Sequence, residues 1–411
     1  MNPFLCAAVA AVAIKAGCEI TLLAFARRRA LDLQAGPVPE EAAAAFPVDA
    51  DFRKAMAYSA EKARDAIVVE IVATLVTLGL LAGGAAALRG VFGDLKSVWA
   101  EALATVGFFA IVGLADIPGE VWSTFRTEAK FGFNKTTPGL WAGDKLKGLA
   151  LGAILGTALL APCAWFLGAF PQTWWLYAWA AFAVFQILAA GWLAVILLPL
   201  FNKLTPLGNG PLRERLLGLA ERAGFAAASV QVMDGSKRSA HANAFFAGFG
   251  RMRRIVLFDT LIAQLSPTEL EAVLAHEIGH WKRGHIFKMM AGGVLGSLPV
   301  FALAGVVSRR PDITADFGFA QGGFASVVIL LALVLPAFLY WLAPLTNGLS
   351  RKHEYEADRY AAELTGGPVA LAGALRKLYA ANSGNPLPHP AYALFHHSHP
   401  SLPERERALG R

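Results

Sequence analysis

The sequence predicts a mainly α-helical membrane protein, seven transmembrane helices with a small α+β unit inserted among them, and three observations predict it. Mean hydropathy over 411 residues is +0.48 with 56% apolar composition, too apolar for a water-soluble chain of this length. Seven apolar stretches are each long enough to cross ~30 Å of hydrocarbon at about 1.5 Å per residue. A single segment of ordinary composition, about 202–287, interrupts them.

The spans fall near Pro3–Ala26, Ala66–Leu88, Val98–Ile117, Gly148–Phe170, Thr173–Phe201, Lys288–Ser308 and Gly323–Thr346. The first is a signal anchor at most, because positive charge follows its apolar run instead of preceding it. Arg27, Arg28, Arg29, Arg53, Lys54, Lys62 and Arg64 lie after the first span, and Arg126, Lys130, Lys135, Lys145 and Lys147 after the third. The intervening loops hold only Arg89, Lys96, Arg309 and Arg310. Cytoplasmic loops retain lysine and arginine, so the N-terminus is expected outside and the C-terminus inside. The insert and the segment after the seventh span then share the cytoplasmic side.

The net charge of +7 and pI of about 9.4 reside in membrane-facing loops, and no nucleic-acid motif appears. The expected partner is an anionic bilayer and not nucleic acid. Cys6, Cys18 and Cys163 lie in spans without metal-site spacing and read as small apolar residues. Lys15, Glu19, Glu70, Glu101 and Asp116 also fall inside spans, where charge is costly unless it meets a partner or water. Their number favours an enclosed polar space; pairing between helices, or snorkelling at span ends, is the alternative.

Within the insert, Pro211–Ala223 reads as an amphipathic helix ended by Gly224, and Ser229–Met233 and Arg254–Phe258 as short strands, with Asn243-Ala244-Phe245-Phe246 extended between them. Ser266-Pro267-Thr268-Glu269 is a capping box with proline at the first helical position. Leu270, Val273, Leu274 and Ile278 follow at helical spacing.

That helix carries His276-Glu277-Ile278-Gly279-His280. Residues four apart look out from one helix face, so His276 and His280 can share a zinc ion while Glu277 serves as the base for an activated water. This is the chemistry of a metalloprotease. All nine histidines lie between His241 and His399, as one catalytic region would produce.

A catalytic zinc needs a third protein ligand. His285 follows nine residues after His276, on the opposite face of a continuing helix, and is rejected. The run Ser350-Arg351-Lys352-His353-Glu354-Tyr355-Glu356-Ala357-Asp358 offers Glu354 as ligand and, four residues on, Asp358 to orient an imidazole. Glu356 points elsewhere. His353 is the rival ligand. In the tail, Ser398-His399-Pro400-Ser401-Leu402-Pro403-Glu404-Arg405 offers an imidazole and a guanidinium that could donate to the oxyanion of peptide hydrolysis, a plain Pro-rich loop being the alternative. The chain divides into 1–201 (five spans), 202–287 (insert and zinc helix), 288–346 (two spans) and 347–411 (third ligand and tail).

These residues together resemble the type I CAAX prenyl proteases, integral-membrane zinc metallopeptidases of the gluzincin kind. The resemblance rests on Ser123-Thr124-Phe125 with Glu128, Lys130 and Gly132-Phe133-Asn134-Lys135, on Asn243-Ala244-Phe245-Phe246, and on Arg254 to Thr260. It continues through His276–His280, Glu354-Tyr355 with Ala357-Asp358, and Ser398-His399-Pro400 with Glu404-Arg405. It implies seven helices around a water-filled intramembrane chamber, capped by the metallopeptidase domain. It also implies one zinc ion per chain on His276, His280 and Glu354, with Glu277 as base and Asp358 behind the ligands. His399 and Arg405 would assist substrate or oxyanion, and Asn243 and Ala244 would form an edge strand that pairs with substrate backbone.

The substrate implied is a prenylated C-a-a-X polypeptide, cut near its C-terminus. The alanine- and glycine-rich composition, the short loops and an Arg411 end without a retrieval signal suggest a bacterial cytoplasmic membrane, or the endoplasmic reticulum if the source is eukaryotic. Bacteria generally lack prenylation, so another membrane-associated polypeptide is then the expected substrate. The alternatives are a heat-shock-type quality-control membrane protease and a metal-dependent transporter; the 123–135 block and the tail oppose the first, and the lack of an internal repeat the second.

Overall fold

The computed structural model describes residues 2–93, 97–225, 229–247, 254–319 and 322–410; Lys96 and Arg411, named above, lie outside them. Among the described residues, seven helices are long and apolar enough to cross a membrane. They are α1 (Pro3–Ala35), α2 (Asp49–Gly90), α3 (Val98–Phe131), α4 (Pro138–Ala169), α5 (Trp174–Gly191), and, after the insert, His285–Ser308 and Phe324–Thr365. Each overlaps a span expected from hydropathy, but most run well past it. An apolar run marks only the part that meets lipid, whereas a helix continues wherever its backbone remains satisfied.

The insert supplies β1 (Leu204–Pro206), α6 (Pro211–Arg222), β2 (Ser229–Met233), β3 (Ala244–Ala247), β4 (Arg254–Phe258) and α7 (Pro267–Lys282). Span six is then α8 (His285–Ser308) and span seven α9 (Phe324–Thr365), followed by α10 (Val369–Ala381), α11 (Pro390–His396) and α12 (Leu402–Ala408).

The spans close a ring: α1 packs on α2, α2 on α3, α3 on α4, α4 on α5, α5 on α8, α8 on α9, and α9 back on α1. Charges inside them find partners. Lys15 Nζ lies 2.7 Å from Glu70 Oε1, joining α1 to α2, and His396 Nε2 lies 3.1 Å from Glu19. The Glu101 carboxylate accepts the Ala325 N–H at 3.1 Å, satisfying a free donor at the start of α9. Asp116 remains exposed within α3.

The sheet runs β1-β2-β4-β3, with β2 and β4 parallel and both outer pairs antiparallel. Central β4 is buried on both faces: Ile255 and Leu257 join the main soluble core, and Val256 joins a smaller cluster with Met233. Strand β3 pairs Ala244 with Leu257 and Phe246 with Ile255, and among the described residues no strand covers its other edge. The main core draws Leu216 from α6, Leu274 and Ile278 from α7, Ala361 from α9, Leu375 from α10 and Leu402 from α12, together with Phe46 and Phe52 from the connection between α1 and α2 and the start of α2. One hydrophobic body therefore joins the insert, the tail and the ends of the first spans.

Candidate metal centre

Helix α7 starts as its sequence predicts. Ser266 accepts from the Glu269 N–H, the Glu269 carboxylate accepts the Ser266 N–H, and Pro267 opens the helix. Three turns on, His276 and His280 lie on one face with their Nε2 atoms 3.1 Å apart. Helix α9 leaves the span through a short 3-10 step at Tyr340–Leu342 and continues to Thr365, which brings Glu354 against that face. Glu354 Oε2 is 3.5 Å from His276 Nε2, and Oε1 is 3.2 Å from His280 Nε2. One ligand atom from each residue lies within 4.8 Å of the others, the candidate metal group among the described residues.

Gly279 sets the distance between the two helices. A Cβ there would meet Ala357 Cα at 3.0 Å and its carbonyl oxygen at 3.1 Å, and backbone does not yield as a flexible side chain does. Gly279→Val is therefore expected to separate α7 from α9, at roughly 1–3 kcal/mol of overpacking, and to lower zinc occupancy. The zinc-to-protein ratio after dialysis measures it. Wild-type occupancy in that variant would mean that this contact does not fix the ligand spacing.

Asp358 sits one turn beyond Glu354 and is 1% exposed. Its carboxylate lies 2.8 Å from His276 Nδ1 and accepts from Arg405 Nε at 2.8 Å and from Nη2. Arg405, 6% exposed on α12, is held there as a buried pair, and its Nη1 lies 3.7 Å from Glu354. Burial disfavours the charged form of His276, but hydrogen bonds to Asp358 and Glu354 outweigh it, and the pKa is pushed up to about 9. Burial likewise opposes ionised Glu354, yet the two imidazoles facing it hold its carboxyl far below the usual range. Asp358 is lowered against its own burial by His276 and Arg405.

A divalent ion fits these residues. Glu354 is 4% exposed, its Oε2 accepts no hydrogen bond, and the nitrogen atoms opposite are a donor set suited to zinc. Glu277 is half-buried beside the cluster; burial raises its pKa, with His276 and His280 pulling the other way.

The tail approaches as well. His399 Nε2 is 3.5 Å from Glu354 Oε1 while its side chain stays 63% exposed, and its Nδ1 lies 2.9 Å from Ser398 Oγ. Arg405 is carried on a helix that opens with a second capping box, Ser401 with Glu404. At the sheet, Asn243 is exposed at the head of β3, which packs beside α7, and its carboxamide oxygen accepts the Ala244 N–H at 2.8 Å. The end of α3 and the residues after it reach the same place. Asn134 bridges Ser239, Phe133 stacks on His241 with centroids 4.3 Å apart, and Glu128 accepts from the Tyr58 hydroxyl at 2.6 Å.

Two residues lie where the sequence alone does not put them. His285 is not on a continuation of α7, because Gly284 turns the chain with φ 67° and His285 starts α8. Its ring faces His280. Glu356, read from the sequence as pointing away, sits 3.0 Å from His285. His353 stacks on His285 at 4.1 Å and is not part of the metal group. The signal for these contacts was the Arg283-Gly284 break after the motif, which resets the helical phase.

Two family models match this chain: peptidase family M48 over residues 206–411, and the CAAX prenyl protease N-terminal region of five membrane helices over 27–203. The chain is 38% identical over 332 residues to CAAX prenyl protease 1 of Saccharomyces cerevisiae, covering 77% of this chain and 73% of that protein. It is 32% identical over 346 residues to the human CAAX prenyl protease 1 homolog, covering 75% and 72%. The crystal structure of S. mikatae Ste24p superimposes with a TM-score of 0.87 at 31% identity, covering 100% of this chain and 99% of that one.

Proposed function

The chain belongs to peptidase family M48 and is a multi-pass membrane metalloprotease, and from that premise we propose that His276, His280 and Glu354 hold one zinc ion at which Glu277 drives hydrolysis of a peptide bond. The observation that carries the assignment is the meeting of Glu354 with both imidazoles, from a helix far along the chain. Bound by that set, zinc supplies a Lewis acid for the scissile carbonyl and lowers the pKa of water toward neutrality.

The protein residues divide the remaining work. Glu277 takes the proton of the attacking water and returns it to the leaving amine, and its burial keeps the carboxylate basic enough to do both. Asp358 receives the Nδ1 proton of His276 and fixes that ring, and Arg405 acts through Asp358, holding it by two hydrogen bonds. His399, exposed beside Glu354, is the donor for the oxyanion. Asn243 and Ala244 open β3, the outer strand of the sheet among the described residues, on which an extended peptide pairs by backbone hydrogen bonds.

The substrate class follows from the relatives and from the ring of spans. A C-a-a-X type C-terminus, prenylated or otherwise held at the membrane, is the substrate, reaching the centre by way of the ring of spans. The loop lysines and arginines that share a side with α7 support a centre opening to the cytoplasm. Alanine- and glycine-rich composition supports a bacterial inner membrane, although the relatives named are eukaryotic.

The test is cleavage of a farnesylated and an unmodified C-a-a-X peptide by the purified protein in detergent. Release of the last three residues, abolished by a zinc chelator and restored by zinc, is the expected result. Cleavage indifferent to the chelator would overturn the metal mechanism, and equal turnover of both peptides would remove the prenyl group from recognition.

A further inference from the structure

The first metal-binding histidine is backed by Asp358, whereas among the described residues no carboxylate meets the outer nitrogen of the second. His280 Nδ1 instead faces His285 Nδ1 at 3.1 Å, and His285 Nε2 lies 3.0 Å from Glu356 Oε2. His285 is 1% exposed, so neither ring nitrogen has water as a ready alternative.

The chain is shaped to put it there. Gly284 takes the left-handed conformation between α7 and α8, and the ring that follows turns back on the end of α7. Helix α9 then holds that ring by one face and one edge with residues three apart on the helix, His353 stacked at 4.1 Å and 12° and Glu356 at the far nitrogen. Glu354 and Asp358 occupy the adjoining face, toward His276. One helix thus serves both imidazoles from two faces.

We propose that Glu356 and His285 form a carboxylate–imidazole relay that positions His280, the counterpart of the Asp358 support behind His276. The inference rests on the zinc reading above. With Nε2 of His280 turned to the metal position, its proton sits on Nδ1 and is donated to Nδ1 of His285. His285 must then carry its own proton on Nε2, and that proton is donated to Glu356. The hydrogen-bond directions are consistent at every link, and a single set of tautomers satisfies all of them. His285 and Glu356 are positioning residues; neither meets substrate.

Zinc affinity, measured by competition with a chromogenic chelator, tests this directly. Loss of an outer partner of a ligating histidine weakens metal binding by about 10–100-fold. His285→Leu, which keeps bulk and removes the acceptor, is expected to fall in that range, and Glu356→Ala toward its lower end. His285→Asn, whose side-chain oxygen can still accept from His280, is expected to recover most of the affinity. Because the two residues act in series, the double variant should bind zinc no more weakly than His285→Leu alone, and the cobalt-substituted singles should share one altered visible spectrum.

Wild-type affinity in Glu356→Ala and His285→Leu, or losses that multiply in the double variant, would overturn the relay. If His285→Leu does not fold, Glu356→Ala and His285→Asn decide the matter, since Glu356 is partly exposed and asparagine is polar. A wild-type chain that binds no zinc would overturn both this inference and the reading it rests on.

Discussion

Glu277→Gln is expected to retain zinc at the wild-type ratio and to cleave peptide about 10²–10⁴-fold more slowly, the range for loss of a general acid–base. Glutamine keeps the size of the side chain and removes only its capacity to hold a proton. The ligands are untouched, since Glu277 is outside the group formed by His276, His280 and Glu354. Its burial raises the carboxyl pKa, which strengthens it as a base while leaving it able to give the proton back. Two measurements on one preparation decide the assignment: zinc by elemental analysis and turnover of a C-a-a-X peptide. Unchanged turnover removes Glu277 from the mechanism, and lost zinc turns it into a metal-retaining residue.

Glu354→Ala is expected to strip the metal, with a loss of affinity larger than the ~10–100-fold cost of an outer partner, because a direct bond is removed. Two imidazoles would remain where three protein ligands are needed. The change also deprives His276 and Arg405 of an anion within 4 Å in a buried site. Glu354→Gln, close in size, separates the two effects: a fold that survives without zinc assigns the loss to coordination. Full zinc occupancy in Glu354→Ala would exclude it as a ligand. His353 would not simply take its place, because its ring is stacked against His285.

The contrast between these two glutamates shows where sequence information ended. Glu277 was legible at once, being adjacent to the first ligand on a helix whose capping box and apolar periodicity are local signals. Glu354 was offered by helix phase, four residues before Asp358 on one face, with His353 left as the rival. Strands β2 and β4 were also read correctly end to end, from short β-branched runs. Strand β1 was missed, being three residues long and ending in proline, and it exists only because β2 offers an edge.

Arg405 illustrates the limit in another way. Its presence in the tail suggested an oxyanion donor, yet its guanidinium is committed to Asp358 on a different helix. Nothing in the local sequence names that partner. The same holds for His285, whose direction depends on the αL turn at Gly284, and for Lys15 with Glu70, whose pairing depends on α1 lying along α2.

By itself the sequence determined the properties that repeat along the chain or sit within one turn of helix: seven apolar spans, the pair of histidines four apart with Glu277 between them, and the helix that carries Glu354. Hydropathy and side-chain phase follow from residue order alone. Only the tertiary structure decided which faces meet. The close crossing at Gly279, the ring of spans that carries α8 and α9 side by side to the centre, and the groups behind each imidazole all arise from contacts between distant segments, fixed by shared burial and by the need to partner every buried charge.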